Sequence, residues 1–375
     1  MNKMENENIY WIPFDLMEQF MVDVFKGVGV PPEDAKICAD VLITADKRGI
    51  DSHGIGRLKP IYYDRIKAGI QEPVTKMEII REGPTTAVID GHNGMGHVIS
   101  YRANQMAIEK ATAYGMGMVA VRNSTHYGIA GYYALMAVEK GMIGITGSNA
   151  RPSIAPTFGV ENMLGTNPLT FGIPTDEEFP FVLDCATSVS QRGKIEVYNR
   201  QGQEIPPGWV IDENGKTRTD TAQILVDLVK GKAALTPLGG LGEEQGGYKG
   251  YGYATVVEIL SAALQQGAFL KALSGYDENS RMQPYRLGHF FIAIDVEAFT
   301  DLELFKKTTG DILRQLRASR LSPDAQRIYT AGEKEYLAWL ERKDRGVPVN
   351  QALQKDMLAM KNELGLHQYH FPFEN

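Results

Sequence analysis

A chain of 375 residues is too long for one simple core, and 43% hydrophobic with 23% charged residues is the make-up of a globular protein built from two or three subdomains. A net charge of −7 argues against a nucleic-acid partner, and two cysteines, Cys38 and Cys185, supply neither a disulfide framework nor a cysteine-rich zinc site. No run of about 18 apolar residues occurs, and residues 1–9 lack the apolar stretch of a secretory signal, so the expectation is no membrane and a cytoplasmic chain.

Residues 1–77 read as a helical region. Phe14, Met17, Phe20 and Met21 recur at helical spacing. Pro31 and Pro32, followed by Glu33 and Asp34, open a second helix that runs through Ile37, Val41, Leu42 and Ala45 and ends near Gly49. Residues 58–66 are the next predicted helix. Residues 78–295 mix strands and helices: strand and turn at 86–91, helix 101–114, strand 116–121, helix 131–140, strand 142–146, and strand-like runs at 169–173 and 181–183. A Gly/Pro-rich, charged excursion over 191–216 precedes helix 254–266 and strand 290–296. Residues 296–375 return to helix at 302–317, 334–345 and 351–364, the last stopped by Gly365. The fold class expected is α/β (α+β), with both helical termini packing as one layer on the mixed centre.

Between the second and third predicted helices lies Asp51-Ser52-His53-Gly54-Ile55-Gly56-Arg57. Arginine presents a planar fork to both oxygens of a carboxylate, histidine exchanges a proton near neutrality, and serine holds a second oxygen. These groups suit a small 2-oxo or 2-hydroxy acid.

A dinucleotide-binding Gly-x-Gly-x-x-Gly must follow a strand and open a helix. The one loose match, starting at Gly115, follows a helix and runs into a strand, so it is rejected. Four polar runs sit instead at the ends of apolar segments: Asn123-Ser124-Thr125-His126-Tyr127-Gly128, Gly147-Ser148-Asn149-Ala150-Arg151-Pro152, Gly165-Thr166-Asn167-Pro168 and Asp184-Cys185-Ala186-Thr187-Ser188. Their small hydroxyl and amide residues leave backbone N–H groups free for an anion.

Asp51-Ser52-His53-Gly54 with Arg57, Asp90-Gly91 with Gly94 and Gly96, the runs Asn123 to Gly128 and Gly165 to Pro168, Asp184 with Ala186-Thr187-Ser188, and Gly246-Gly247-Tyr248-Lys249-Gly250-Tyr251-Gly252 together resemble the type-2 malate/L-lactate dehydrogenase family. The resemblance implies a non-Rossmann fold with a largely antiparallel central sheet, a homodimer, and hydride transfer between NAD or NADP and an L-2-hydroxy acid, foremost malate. Lactate, sulfolactate, ureidoglycolate, diketogulonate and a cyclic imino acid are the related substrates. By this resemblance His53 is the proton donor and acceptor, Asp184 orients it, Arg57 clamps the carboxylate and Ser52 assists. His126 is a rival for the proton and a cofactor-side residue. Ser148, Asn167, Ala186, Thr187, Ser188 and Lys249 are expected around the cofactor, with Gly332, Glu333 and Lys334 closing over it. Basic Arg192, Lys194 and Arg200 could meet an NADP phosphate. A metal-dependent hydrolase or lyase using His53, His126, Asp184 and Asp51 is the reading from another class, but the spacing matches no compact metal motif and no metal site is assigned.

Overall fold

The computed structural model describes residues 9–374. Strand β1 (Tyr10–Ile12) leads into α1 (Phe14–Gly27) and α2 (Pro32–Lys47), the latter with Glu33 and Asp34 in its first turn and Lys47 in its last, as the helix dipole favours. The predicted third helix is a composite. A 3₁₀ turn (Ile55–Arg57) passes into a π-helical turn (Leu58–Tyr63) and then α3 (Asp64–Lys67). Pro60 has no N–H to give to the preceding turn, and its ring displaces the carbonyl there, so the coil opens.

The centre follows as β2 (Glu78–Glu82), β3 (Thr86–Asp90), α4 (Gly96–Tyr114), β4 (Met116–Ser124), α5 (Ala130–Val138), β5 (Met142–Ser148), β6 (Leu169–Ile173) and β7 (Phe181–Cys185). Gly115, at φ 83°, closes α4 before β4 begins, the helix-to-strand order read from the sequence. Next come α6 (Arg192–Arg200), β8 (Val210–Asp212), β9 (Thr217–Arg218), α7 (Thr221–Lys230), β10 (Ala233–Leu235), α8 (Gly247–Ala262) and β11 (Leu287–Asp295). Finally α9 (Leu302–Arg317), α10 (Glu333–Arg342), β12 (Val347–Val349) and α11 (Gln351–Glu363) complete the chain.

Two helices start earlier than their apolar pattern predicts, and a third appears where a loop is expected. The first N–H of α4, from Gly96, is taken by the Thr125 hydroxyl at 2.9 Å, a cap 29 residues away in sequence. Helix α8 starts at Gly247 because Gly247 and Gly250 pass against backbone. A Cβ at these positions would stand 2.0 Å from the Gly240 carbonyl oxygen and 2.1 Å from that of Leu238. The excursion over 191–216 contains α6 and, with α7 and the three-stranded sheet β10-β8-β9, encloses its own core of Ile195, Ile205, Val210 and Ile224.

The main sheet has seven strands in the order β2-β3-β4-β11-β5-β6-β7. Only β3 and β4 run parallel; the other five neighbouring pairs are antiparallel, as expected. Helices α4 and α5 cover one face and α8 the other. A second core joins the two ends of the described chain: Phe20, Phe25 and Leu42 pack with Val347, Met357 and Phe371.

Register brings the polar runs together. Strands β4 and β5 are both antiparallel to β11, so both end on the same side. Ser124 lies opposite Leu287, Ser148 opposite His289, Gly147 opposite Leu169, and Leu169 opposite Cys185. All four runs therefore converge along one end of the sheet, beneath the loop and coil of residues 51–65.

Candidate active site

A buried acid holds the Ser52–Arg57 loop from below. Asp46, in the last turn of α2, accepts the Ile55 N–H at 2.8 Å. Burial pushes its carboxyl up to about 8; the Ile55 N–H opposes this, Asp51 adds to it and Arg342 offsets it. An acid whose folded value lies above its unfolded value of 3.8 stabilises fully below 3.8, and that contribution is lost as pH climbs through 8. Asp46→Asn cannot ionise, so its Tm relative to the wild type is expected to rise between pH 5 and pH 9. A pH-independent Tm difference would show that Asp46 is ionised throughout.

Within the loop, Asp51 is spent on Arg342 of α10, with Nη1 and Nη2 at 2.5 and 2.9 Å from its two oxygens. The Ser52 Oγ lies 2.9 Å from Nδ1 of His53, and Arg57 Nε donates to the Ser52 carbonyl at 2.5 Å. Burial, and secondarily the Arg57 charge, hold the His53 imidazole down at about 4.

His126 stacks on His53, ring centroids 5.7 Å apart and planes 19° apart. Its Nδ1 receives the Gly128 N–H at 3.3 Å and lies 2.6 Å from the Tyr62 hydroxyl. A backbone N–H can only donate, so Nδ1 is an acceptor, Tyr62 donates to it as well, and the ring proton sits on Nε2. Burial, with the nearby His53, Arg65, His97 and Arg57, keeps His126 neutral. It is thus a fixed donor. His53, with its Nδ1–H given to Ser52 Oγ, can keep an open lone pair on Nε2.

A cavity of about 360 Å³ opens beside this pair. Its wall includes His126, Tyr285 and four arginines, Arg57, Arg65, Arg151 and Arg192, and, among the described residues, no carboxylate. Three bodies meet there: the coil of residues 55–65, the sheet end, and the lobe of α6, α7 and β10.

The structure does not bring Asp184 to His53. Thr170 faces Asp184 across β6 and β7, and its hydroxyl donates to Oδ1 at 3.0 Å; Oδ2 accepts the Gly131 N–H at the start of α5, at 2.7 Å. An acid at a helix N-terminus is favoured electrostatically. Burial raises this carboxyl, while those two hydrogen bonds and Arg48 lower it. Both oxygens are committed, and Ser52 stands on Nδ1 of His53 instead.

The expected cofactor residues follow the sheet end but are largely turned inward. Ser148 donates to the Asn149 carbonyl at 2.8 Å and lies 2.9 Å from His289, whose other nitrogen meets Ser124. Asn167, at φ 36°, donates to Glu258 at 2.8 Å and leaves a buried Oδ1 without a partner among the described residues. Thr187 donates to the Asn167 carbonyl at 2.9 Å and Ser188 to that of Ser190 at 2.8 Å, with Ala186 half-buried between them and Asp184. Lys249 is exposed in the first turn of α8. Gly332 caps α10 at φ 90°, buried Glu333 is consumed by Arg327 and the Thr330 N–H, and Lys334 lies exposed over Tyr329. Tyr62, Arg65 and Asp46 escaped the sequence reading. The four-residue spacing of Arg57, Ile61 and Arg65 was the available signal.

The family model described as malate/L-lactate dehydrogenase matches residues 12–358. The chain is 46% identical over 362 residues to a malate dehydrogenase of Pyrococcus abyssi, covering 96% of this chain and 97% of the relative. It is 39% identical over 352 residues to an L-sulfolactate dehydrogenase of Methanocaldococcus jannaschii, covering 93% and 96%. The crystal structure of malate dehydrogenase from Entamoeba histolytica matches with a TM-score of 0.93 and 47% identity, over 98% of this chain and 100% of that one.

Proposed function

The chain belongs to the malate/L-lactate dehydrogenase family, a family of 2-hydroxy-acid dehydrogenases, and from that premise we propose that it interconverts malate and oxaloacetate with NAD or NADP. The observation that carries the substrate reading is the cavity walled by guanidinium groups, with no carboxylate, beside a neutral histidine pair.

Arg57 pairs with the carboxylate next to the reacting carbon, its Nε already anchored on the Ser52 carbonyl. The substrate hydroxyl meets the Nε2 edges of the two imidazoles, since their N–H and lone pair lie in the ring planes of the stacked pair. His53 takes the hydroxyl proton on Nε2 in the tautomer whose Nδ1–H donates to Ser52 Oγ, a hydroxyl able to accept it. His126 donates its Nε2–H to the same oxygen as negative charge develops there. In the reverse direction His53 returns the proton.

The residues at the sheet end fit a dinucleotide. Arg151 offers charge for its phosphates, Arg192 stands beside it already paired with Glu196 at 2.8 Å, and Asn167 offers an unspent buried acceptor. Ala186, Thr187 and Ser188 would follow it, Lys249 would add charge, and the Gly332–Lys334 turn would border it. When bound, the nicotinamide accepts or supplies the hydride. We read this as a non-Rossmann site, because strand ends of a mostly antiparallel sheet take the place of a glycine fingerprint. Residues 78–295 would thus carry most of the cofactor site and residues 1–77 the substrate side, with residues 296–375 packing on the latter and reaching the cofactor through the Gly332–Lys334 turn.

A homodimer is also proposed. Helix α8 packs on the sheet with one face and exposes Tyr253, Val256 and Ile259 on another, and a helix apolar all round is one that is buried.

The functional test is NADH or NADPH fluorescence on addition of oxaloacetate. A fall with either cofactor, faster than with other 2-oxo acids, is expected. No fall with any 2-oxo acid would overturn the proposal.

A further inference from the structure

The cavity holds more positive charge than one carboxylate requires. Arg57, Ile61 and Arg65 recur every four residues along the composite coil, and all three line the cavity. Arg57 and Arg65 thus reach the same cavity from separate turns of the coil, as two long guanidinium arms can close onto a four-carbon acid.

Arg57 is anchored on the Ser52 carbonyl. Arg65 is not anchored on any acid. Among the described residues it has no carboxylate within ion-pair distance, and its guanidinium lies 4.3 Å over the Tyr285 ring. That contact holds the guanidinium over the ring and leaves its N–H groups unspent. Burial disfavours the Arg65 charge, Tyr285 and Tyr62 oppose this, and the neighbouring Arg151 and Arg57 add to it. A half-buried cation among cations, in a cavity without an acid, is relieved by an anion.

We propose that Arg65 is a specificity-determining residue that receives the second anionic group of the substrate, a carboxylate or a sulfonate, so that the site selects dianionic over monoanionic 2-oxo acids. This rests on the proposed reading of the cavity as a 2-hydroxy-acid site.

The test compares kcat/KM for oxaloacetate, 3-sulfopyruvate and pyruvate in the wild type, Arg65→Gln and Arg65→Lys. Arg65→Gln is expected to lower the value for the preferred dianion about 100-fold, because a site built for a charged group loses its partner, and to leave pyruvate within about threefold. Arg65→Lys restores part of the dianion rate but not the fork. The dianion that is faster in the wild type and lost in Arg65→Gln identifies the group as carboxylate or sulfonate. Equal losses on all three acids, or a weakened NAD(P)H Kd with the substrate ratio unchanged, would overturn the proposal. Calorimetric titration with L-malate and L-lactate reads the same discrimination without turnover. A wild type inactive on every 2-oxo acid that still prefers malate, a preference lost in Arg65→Gln, overturns the proposed reaction and keeps the Arg65 site. Absence of any preference overturns the site.

Discussion

His53→Gln is expected to lower kcat about 10²–10⁴-fold, the usual yield of a positioned acid/base, with NAD(P)H affinity unchanged. His126→Gln is expected to cost much less, about tenfold, because the two imidazoles do different work. Nδ1 of His126 is filled by the Gly128 N–H and the Tyr62 hydroxyl, so the ring offers only a donor, and a glutamine amide also donates. His53 offers a lone pair that glutamine cannot replace with a proton acceptor of similar strength. Steady-state kinetics of both variants, with cofactor titrations, decide the matter. A larger loss in His126→Gln would transfer the proton to that ring.

Gly54→Ala is the second large effect. Its Cβ would stand 1.8 Å from Asp46 Oδ1 and 2.2 Å from the carboxyl carbon, so either the loop or the acid must move. Overpacking of this kind costs about 1–3 kcal/mol. Moving the loop also breaks the Ile55 N–H bond to Asp46 and shifts His53 and Arg57 together. We expect a lower Tm and a loss of activity. The double variant with Asp46→Ala is expected to be more stable than the sum of the single changes. Strict additivity would show that the loop does not rest on that carboxylate.

The elements legible in the sequence are those whose stabilising contacts are periodic along the chain. Strand 169–173 and helix 302–317 appear with the predicted bounds, since one apolar pattern sets each. Helix α8 starts early because glycines at 247 and 250 serve a close approach to residues 238 and 240, which no local pattern encodes. Lobe helix α6 is hidden by a charged stretch with a single fully buried apolar residue, Ile195.

The site divides in the same way. Ser52, His53 and Arg57 were legible from residue type in one short run. Tyr62 and Arg65 read as ordinary helical residues until the π-helical turn set them against His126 and the cavity. The partners of Asp184 come from strand register and a helix terminus, so the orienting role on His53 that the family resemblance implied is one its geometry gives to α5. The tautomer of His126 depends on one backbone N–H, which side-chain chemistry alone does not reveal.

The central claim is that His53 is the proton acceptor and is neutral throughout the physiological range. The pH dependence of kcat/KM for malate oxidation at saturating cofactor reports that group before substrate binds. With His53 held at about 4, the value is expected to change less than about twofold between pH 8 and pH 5.5. A fall of about tenfold below a midpoint near 6.5, the signature of an ordinary histidine, would contradict it.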